Sequence, residues 1–425
     1  MTRFRSASRS FPRPAVALMG LAFLALASGC SFTEVFALHG PQSTYHTGGP
    51  VAQSQWDLFM VTVYVTAFIF VIVGGALAYA TIKFKARSAE DEHFDAPQGH
   101  GNPLVEMGLI VGSVLLLVII AIPTLEGIWY THDVPEAEKG AAMDVTATAY
   151  QWWFKFEYPN LKVKSIAGEN PLATGNELVV PAGVPVRVQL RTVDVIHSFW
   201  VPKLAGKVDM IPNRGNLLWF KADKPGYFYG QCAEYCGDSH AIMRFRVIAL
   251  AQDDFKKWVE NQMAPARSVT AQADENKPHA QFANYTENTG AGSVLSGSPE
   301  FDADPLAAWR KKQAIPSDED TALIAAGRKL FSEKTCISCH TIRGHEGVGI
   351  TGPELTHVGA RSTIAAGVLE NTPHRMSQWI HDPSAFKPGN KMFNGGYIDP
   401  ATGQRKFTLT DSDIAALVAY LQSLK

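Results

Sequence analysis

The sequence predicts a multidomain membrane protein with a two-helix transmembrane hairpin, a small antiparallel β-sandwich or barrel, and a C-terminal helical domain. Two long apolar stretches lie near the start of the chain, short β-rich segments follow them, and helical patterns return after residue 316. The chain has 425 residues, more than one hydrophobic core usually organises. Its net charge of −2 leaves no basic stripe for phosphates and argues against a nucleic-acid partner.

Residues 1–30 have the features of a secretory signal peptide. Four arginines precede an apolar run at residues 15–27, which is shorter than the roughly 20 residues that cross a bilayer. The end of this run, Ala-Leu-Ala, suits an ordinary signal peptidase. The string LASGC also resembles a bacterial lipoprotein signal in which Cys30 is acylated, although Ala27 stands where leucine is usual. Both interpretations of Cys30 stay open.

The predicted transmembrane hairpin covers residues 55–130. Residues 58–82 and 107–125 are each long and uncharged enough to span a membrane. The loop between them begins KFKAR, so the positive-inside rule makes it cytoplasmic and exports everything after the second helix. Glu106 lies at the cytoplasmic end of the second stretch. A carboxylate there is either an interfacial anchor or a proton entry point.

Residues 143–260 change to short β-rich runs that are interrupted by proline and glycine. Several runs alternate in polarity, which is typical of a small antiparallel sandwich or barrel. The clearest runs are residues 145–149, 178–180, 184–190, 217–220 and 243–250.

The last turn of this domain contains a set of soft metal ligands. The segment QCAEYCGDSHAIM places two thiols, an imidazole and a thioether close together at Cys232, Cys236, His240 and Met243. His197 ends an earlier strand and could complete the set.

Three interpretations of these ligands compete. A structural zinc site does not need Met243 and usually has C-x2-C spacing. A disulfide between cysteines four residues apart would close a very short loop and stabilise little. Copper accounts for the thioether, and the second cysteine allows both sulfurs to bridge two coppers.

Residues 261–316 are rich in Ala, Gly, Ser, Asn and Pro, and this composition predicts a flexible linker. In the next domain, residues 317–425, Cys336, Cys339 and His340 form the sequence C-x-x-C-H. This is the attachment motif of c-type haem, with two thiols for the vinyl groups and a histidine for the iron.

The sixth iron ligand should be a later histidine or methionine. Met376 lies in a predicted helix, where methionine usually packs in the core. Met392 follows KPGNK in an irregular loop that can aim a thioether at iron. We therefore predict Met392.

The motif C-x-E-x-C-G-x-x-H-x-x-M, after two membrane helices and an upstream D-V-x-H-S, resembles the CuA domain of cytochrome c oxidase subunit II. The resemblance covers about residues 55–259 and implies a cupredoxin-like fold. In this family Cys232 and Cys236 would bridge two coppers, and the Glu234 carboxylate would bind magnesium shared with subunit I. The implied CuA ligands are His197, Cys232, Glu234 (through its carbonyl), Cys236, His240 and Met243.

The resemblance also implies roles outside the copper ligands. Trp152, in YQWWF, matches the residue through which electrons enter, and Glu106 matches the carboxylate at the mouth of a proton channel. Residues 318–425 resemble class I cytochromes c, an all-α fold in which the GPEL segment packs on haem.

Together these features resemble subunit II of a caa-type bacterial oxidase. The implied partners are subunit I, which reduces dioxygen and pumps protons, and subunit III. The implied donor is a soluble cytochrome or the upstream quinol-oxidising complex. The implied location is the bacterial inner membrane, with both redox domains on the periplasmic face. The rival functions are a CuA-containing nitric oxide reductase subunit and a free-standing electron carrier.

Overall fold

The computed structural model describes residues 40–88, 99–165, 168–270 and 298–425. The predicted signal peptide, including Cys30, lies outside the described residues.

Two long helices, α1 (Pro50–Lys83) and α2 (Pro103–His132), form the predicted hairpin. Each begins with proline, whose missing N–H costs nothing in the first turn. The most apolar windows of the two helices are 6% and 0% buried within the chain, so their surfaces are free for lipid or a partner subunit. At the C-terminal end of α2, the indole N–H of Trp219 donates to the Tyr130 carbonyl at 2.9 Å. This hydrogen bond joins the hairpin to the next domain.

The next domain, which we call the copper domain, is a sandwich of two five-stranded sheets with orders β3-β2-β1-β5-β8 and β4-β10-β9-β6-β7. The strands are β1 (Met143–Tyr150), β2 (Trp153–Ser165), β3 (Gly168–Gly175), β4 (Glu177–Pro181), β5 (Val186–Thr192), β6 (His197–Trp200), β7 (Val208–Met210), β8 (Asn216–Phe220), β9 (Gly226–Cys232) and β10 (Arg244–Leu250).

The predicted β-sandwich is confirmed, but it is not purely antiparallel. Two pairs of strands are parallel, β1 with β5 and β4 with β10. The strands of each pair are distant in sequence and become neighbours after the chain has crossed between the sheets. Phe154, Phe156, Phe199 and Phe245 fill the space between the sheets; the rings of Phe199 and Phe245 lie 4.6 Å apart.

The predicted linker, residues 261–316, is structured at both described ends. Helix α3 (Gln252–Met263) continues into a segment that donates from Ala266 N to the Arg343 carbonyl at 2.8 Å. Two short helices, α4 (Pro299–Ala303) and α5 (Pro305–Lys312), bury Phe301 and Trp309. Burial of these two apolar side chains helps to hold residues 298–312 on the folded domains.

The C-terminal domain, which we call the haem domain, contains α6 (Thr321–Glu333), α7 (Pro373–His381) and α8 (Asp411–Ser423). Helices α6 and α8 cross so closely that a Cβ on Gly327 would lie 1.9 Å from the Ala416 carbonyl oxygen. A two-stranded ribbon, β11 (Thr363–Ile364) and β12 (Leu369–Glu370), was not predicted. A π-helical turn spans Met392–Tyr397.

Candidate copper centre and haem cavity

The predicted copper ligands converge at one end of the copper domain. His197 begins β6 and Cys232 ends β9, so hydrogen-bonded strands bring them together. The turn between β9 and β10 supplies the rest. The sulfurs of Cys232 and Cys236 are 3.8 Å apart, and each lies near an imidazole nitrogen: His197 Nδ1 at 3.8 Å and His240 Nδ1 at 3.6 Å. Met243 Sδ is 3.9 Å from Cys236 Sγ.

The two sulfurs are too far apart for a disulfide, whose S–S bond is about 2.05 Å. A hydrogen bond from Cys236 lowers the pKa of Cys232 to about 3, and the same contact raises the pKa of Cys236. Two thiolates this close would repel each other unless a cation held both of them, and the buried thioether of Met243 makes the set fit copper better than zinc.

Asp194 orients the first histidine of the site. Its carboxylate lies 2.9 Å from Nε2 of His197, which leaves Nδ1 directed toward the sulfurs. Although burial opposes the charged imidazolium, the hydrogen bond to Asp194 raises the pKa of His197. Asp194 belongs to the D-V-x-H-S motif, but no role was predicted for it. Its position three residues before the ligand His197 was the feature of the sequence that could have identified it.

The backbone of Glu234 lies among the predicted copper ligands. Its carbonyl oxygen lies 3.3 Å from Cys232 Sγ, inside the ligand cluster. Its carboxylate accepts a hydrogen bond from the next backbone N–H, that of Tyr235, at 3.2 Å.

The haem domain contains a large apolar cavity lined by the predicted haem residues Cys336, Cys339, His340 and Met392. Nδ1 of His340 bonds the Pro353 carbonyl at 2.8 Å, so Nε2 is the nitrogen left for iron. Burial lowers the pKa of His340, which favours the neutral ligand form.

Gly352 leaves the space that His340 needs, because a Cβ there would lie 2.5 Å from the imidazole ring. The donor set and the cavity together fit c-type haem.

Both candidate methionines line this cavity. Met376 is 2% exposed, and its sulfur accepts a hydrogen bond from Gln422 at 3.6 Å. Met392 is partly exposed at the start of the π-helical turn and has a more open position. The occupied sulfur of Met376 favours Met392 as the iron ligand.

Trp152 lies between the two candidate centres. Its indole N–H donates to the carbonyl of Cys236 at 2.9 Å, and the same side chain lines the haem cavity. The side chain is buried beneath the loop that leads to Met392: a Cβ on Gly389 would lie 2.8 Å from the indole ring.

This loop contacts the copper domain at several points. The ammonium of Lys387 donates to the Trp152 carbonyl, Ser239 Oγ donates to the Pro388 carbonyl at 2.7 Å, and Lys391 pairs with Asp194 at 3.8 Å. Burial lowers the pKa of Lys387 to about 7. This contact could not be predicted from the sequence, because a lysine in a glycine- and proline-rich loop is usually exposed.

Glu106 lies far from both candidate centres. It is exposed in the first turn of α2, whereas the last turn of that helix contacts the copper domain. The 24 residues between Glu106 and Tyr130 span about 36 Å of helix. The structure therefore does not bring Glu106 to the copper ligands.

Comparisons with known proteins identify both domains. Residues 143–250 match the family described as cytochrome c oxidase subunit II, periplasmic domain, and residues 324–425 match the cytochrome c family. Cytochrome c oxidase subunit 2 of Alkalihalophilus pseudofirmus is 32% identical over 100% of this chain and 99% of that protein.

Another relative agrees with this result. The same subunit of Bacillus sp. (strain PS3) is 30% identical over 90% of this chain and 91% of the relative. A crystal structure of the periplasmic domain of subunit II of cytochrome oxidase from Bradyrhizobium japonicum is 36% identical. The matched region covers 29% of this chain and 96% of the chain in that crystal structure, and the TM-score is 0.25.

Proposed function

The chain belongs to the cytochrome c oxidase subunit 2 family, and on that premise we propose that it relays electrons from an external donor to subunit I. It is subunit II of a haem–copper oxidase with a C-terminal cytochrome c domain. The subunit with which it assembles, subunit I, would reduce dioxygen to water and pump protons. The proposal gives this chain no oxygen chemistry of its own.

The position of Trp152 is the observation that best supports the proposal. One side chain lines the haem cavity and also donates a hydrogen bond to the backbone of Cys236. A route of one indole ring and one hydrogen bond therefore joins the two candidate centres. Because the haem domain buries Trp152, an external protein would have to deliver electrons to the haem domain instead.

Binuclear copper and haem c supply reversible one-electron chemistry when they are bound. In the proposal, Cys232 and Cys236 would hold the coppers, while strand β6 and the turn between β9 and β10 place the other donors at the same end of the copper domain. These other donors are His197, His240, Met243 and the Glu234 carbonyl. Asp194 fixes the His197 ring through its hydrogen bond.

In the haem domain, we assign Cys336 and Cys339 to the thioether bonds, and His340 and Met392 to iron. The Pro353 carbonyl fixes the ring of His340. The apolar lining excludes water from the cavity, which favours a thioether ligand.

Further assignments complete the proposal. The Glu234 carboxylate would bind magnesium with subunit I, and Glu106 would admit protons from the cytoplasmic side. The exposed apolar helices would contact subunit I, and the two redox domains would face the periplasm across the inner membrane. A soluble cytochrome or a quinol-oxidising complex would be the donor, and subunit III would be a further partner.

A metal and haem assay on the intact complex from native membranes tests this function. We expect two coppers per chain, haem that stays attached after denaturation, and a large multi-helix haem protein that co-purifies. Cys232→Ser should abolish the mixed-valence copper signal and leave the covalent haem. Stoichiometric zinc without copper would refute the metal assignment, and absence of the multi-helix protein would favour a free-standing carrier.

A further inference from the structure

Glu177 is a buried carboxylate that none of the proposed redox roles uses. It begins β4 of the copper domain and is 4% exposed. It is neither a predicted metal ligand nor part of the haem cavity lining. A carboxylate so far from water requires compensating partners, because burial of an unpaired charge costs several kcal/mol.

The partners of Glu177 come from outside the copper domain. Its Oε1 accepts hydrogen bonds from the backbone N–H groups of Ser362 at 2.7 Å and Thr363 at 3.2 Å, and from the Ser362 hydroxyl. Its Oε2 accepts the indole N–H of Trp309 at 3.1 Å. We call these four residues the Glu177 cluster. The cluster joins the copper domain, helix α5 and the haem domain at one side chain.

The Glu177 carboxylate accepts all four of its hydrogen bonds. Burial raises the pKa of Glu177, although hydrogen bonds from Ser362 and the nearby charge of Arg361 oppose that rise. The donors are buried as well, and a buried donor that loses its acceptor is left with an uncompensated desolvation cost. A few contacts can therefore fix the domain strongly.

The cluster lies beside the contacts that set the position of the haem cavity. Arg246, the register partner of Glu177 on β10, donates to the Gly367 carbonyl at 2.9 Å, and Arg244 N donates to the Ala366 carbonyl at 3.0 Å. Thr363 and Ala366 belong to the cavity wall. A displacement at Glu177 would therefore move this wall relative to Trp152.

We propose that Glu177 is a positioning residue that fixes the haem domain against the copper domain and so sets the separation for electron transfer. The inference rests on the proposed relay and adds a residue that touches neither centre. Electron transfer weakens steeply with distance, so a fixed arrangement supports a single fast rate. If the haem domain were held only through residues 261–316, it would have to regain its contact with the copper domain by diffusion.

The test compares Glu177→Leu with native complex and uses two measurements. Flash reduction of haem c should be followed by a single fast transfer to copper in the native complex, at a rate that glycerol does not change. In Glu177→Leu this transfer should slow roughly tenfold or more and become viscosity-dependent, because several buried hydrogen bonds are lost and their donors are left without an acceptor. Hydrogen exchange at the Ser362 and Thr363 amides should also become faster.

Matched variants separate positioning from general damage. Glu157→Leu removes a carboxylate of the copper domain that pairs with Lys155 in its own strand at 3.0 Å, and it should not change the transfer rate. Glu177→Gln keeps one acceptor oxygen and should lie between native and Glu177→Leu. If Glu177→Leu does not accumulate, Trp309→Phe combined with Ser362→Ala removes donors from the other side, and it should give the same slow, viscosity-dependent transfer.

The inference and the proposed relay can fail separately. If the native complex lacks copper or haem c, the relay is refuted before any variant is compared. If copper and haem spectra are normal in Glu177→Leu but transfer and amide exchange stay native, Glu177 does not position the domain.

Discussion

The copper centre and the haem cavity are built by opposite means. The copper ligands approach one another within about 4 Å in the polypeptide alone, because hydrogen-bonded strands and a short turn deliver them. Their buried side chains already contact one another. The haem residues instead line an apolar cavity.

The two domains should therefore differ in how much the bound cofactor contributes to the stability of the fold. In the copper domain, Cys232, Cys236 and Met243 lie at one end of a core whose aromatic side chains pack between the sheets, so the fold should survive loss of copper. In the haem domain, Leu417 and Met376 belong both to the core and to the cavity lining. Haem would therefore act as part of that core, and its loss should leave a large void.

Removal of the haem attachment should have the largest effect. Cys336→Ala combined with Cys339→Ala should destabilise the haem domain by more than about 5 kcal/mol, since a void larger than that left by a lost Phe or Trp remains. Calorimetry and hydrogen exchange should show its helices unfolding before the copper domain.

The matched change in the other domain is Cys232→Ser combined with Cys236→Ser. It should abolish copper binding yet cost the copper domain only about 1–3 kcal/mol, the penalty of altered buried polar groups. Equal destabilisation in the two domains would contradict the contrast between them.

Substitution of the two methionines of the haem cavity distinguishes a ligand of the iron from a residue that packs in the core. Met392→Ala should open an iron position to carbon monoxide and shift the haem potential. Met376→Ala should keep the ligand set and cost about 2–5 kcal/mol of stability, because a buried side chain is lost. Carbon monoxide binding, followed spectroscopically, distinguishes them, and the reverse pattern would make Met376 the ligand.

Local sequence motifs selected residues that the structure brings together at both centres, for a physical reason. Soft donors with fixed spacing, such as Cys232 and Cys236, restrict the chemistry before the fold is known. The transmembrane hairpin was equally clear, because crossing a bilayer demands long apolar runs.

The relation between the domains could not be predicted in the same way. Lys387 meets Trp152 across 235 positions of sequence, and Glu177 meets Ser362 across 185. Such contacts depend on the completed fold, and a local composition such as that of residues 261–316 carries no information about them. The linker prediction consequently overlooked Phe301 and Trp309 as packing residues.

Asp194→Asn tests how far the copper site is preorganised. The neutral amide would orient His197 less firmly, so copper affinity should fall about 10- to 100-fold, as is usual when the partner of a ligand is lost. Copper titration with a competing chelator measures this change. Asp253→Asn, which alters an exposed ion pair with Lys256, is the control and should leave the affinity unchanged.

Lys391→Ala should have the smallest effect and tests the contact between the domains. Lys391 is 61% exposed in its ion pair with Asp194, whereas Lys387, Ser239 and the Glu177 cluster join the domains through buried hydrogen bonds. An exposed pair contributes about 0–1 kcal/mol and is screened by salt. We therefore expect transfer from haem c to copper to change less than about twofold in Lys391→Ala.

Raising the ionic strength from about 0.05 to about 0.5 M should have an equally small effect on the native complex, because salt reduces mainly exposed interactions. Stopped-flow or flash reduction at several salt and enzyme concentrations measures the transfer, with reduction by an added soluble cytochrome as the salt-sensitive control. A haem domain that docked by charge from a free tether would instead slow steeply with salt. A rate that rose with enzyme concentration would show that the haem of one chain reduces the copper of another, which the buried contacts at Trp152 do not permit.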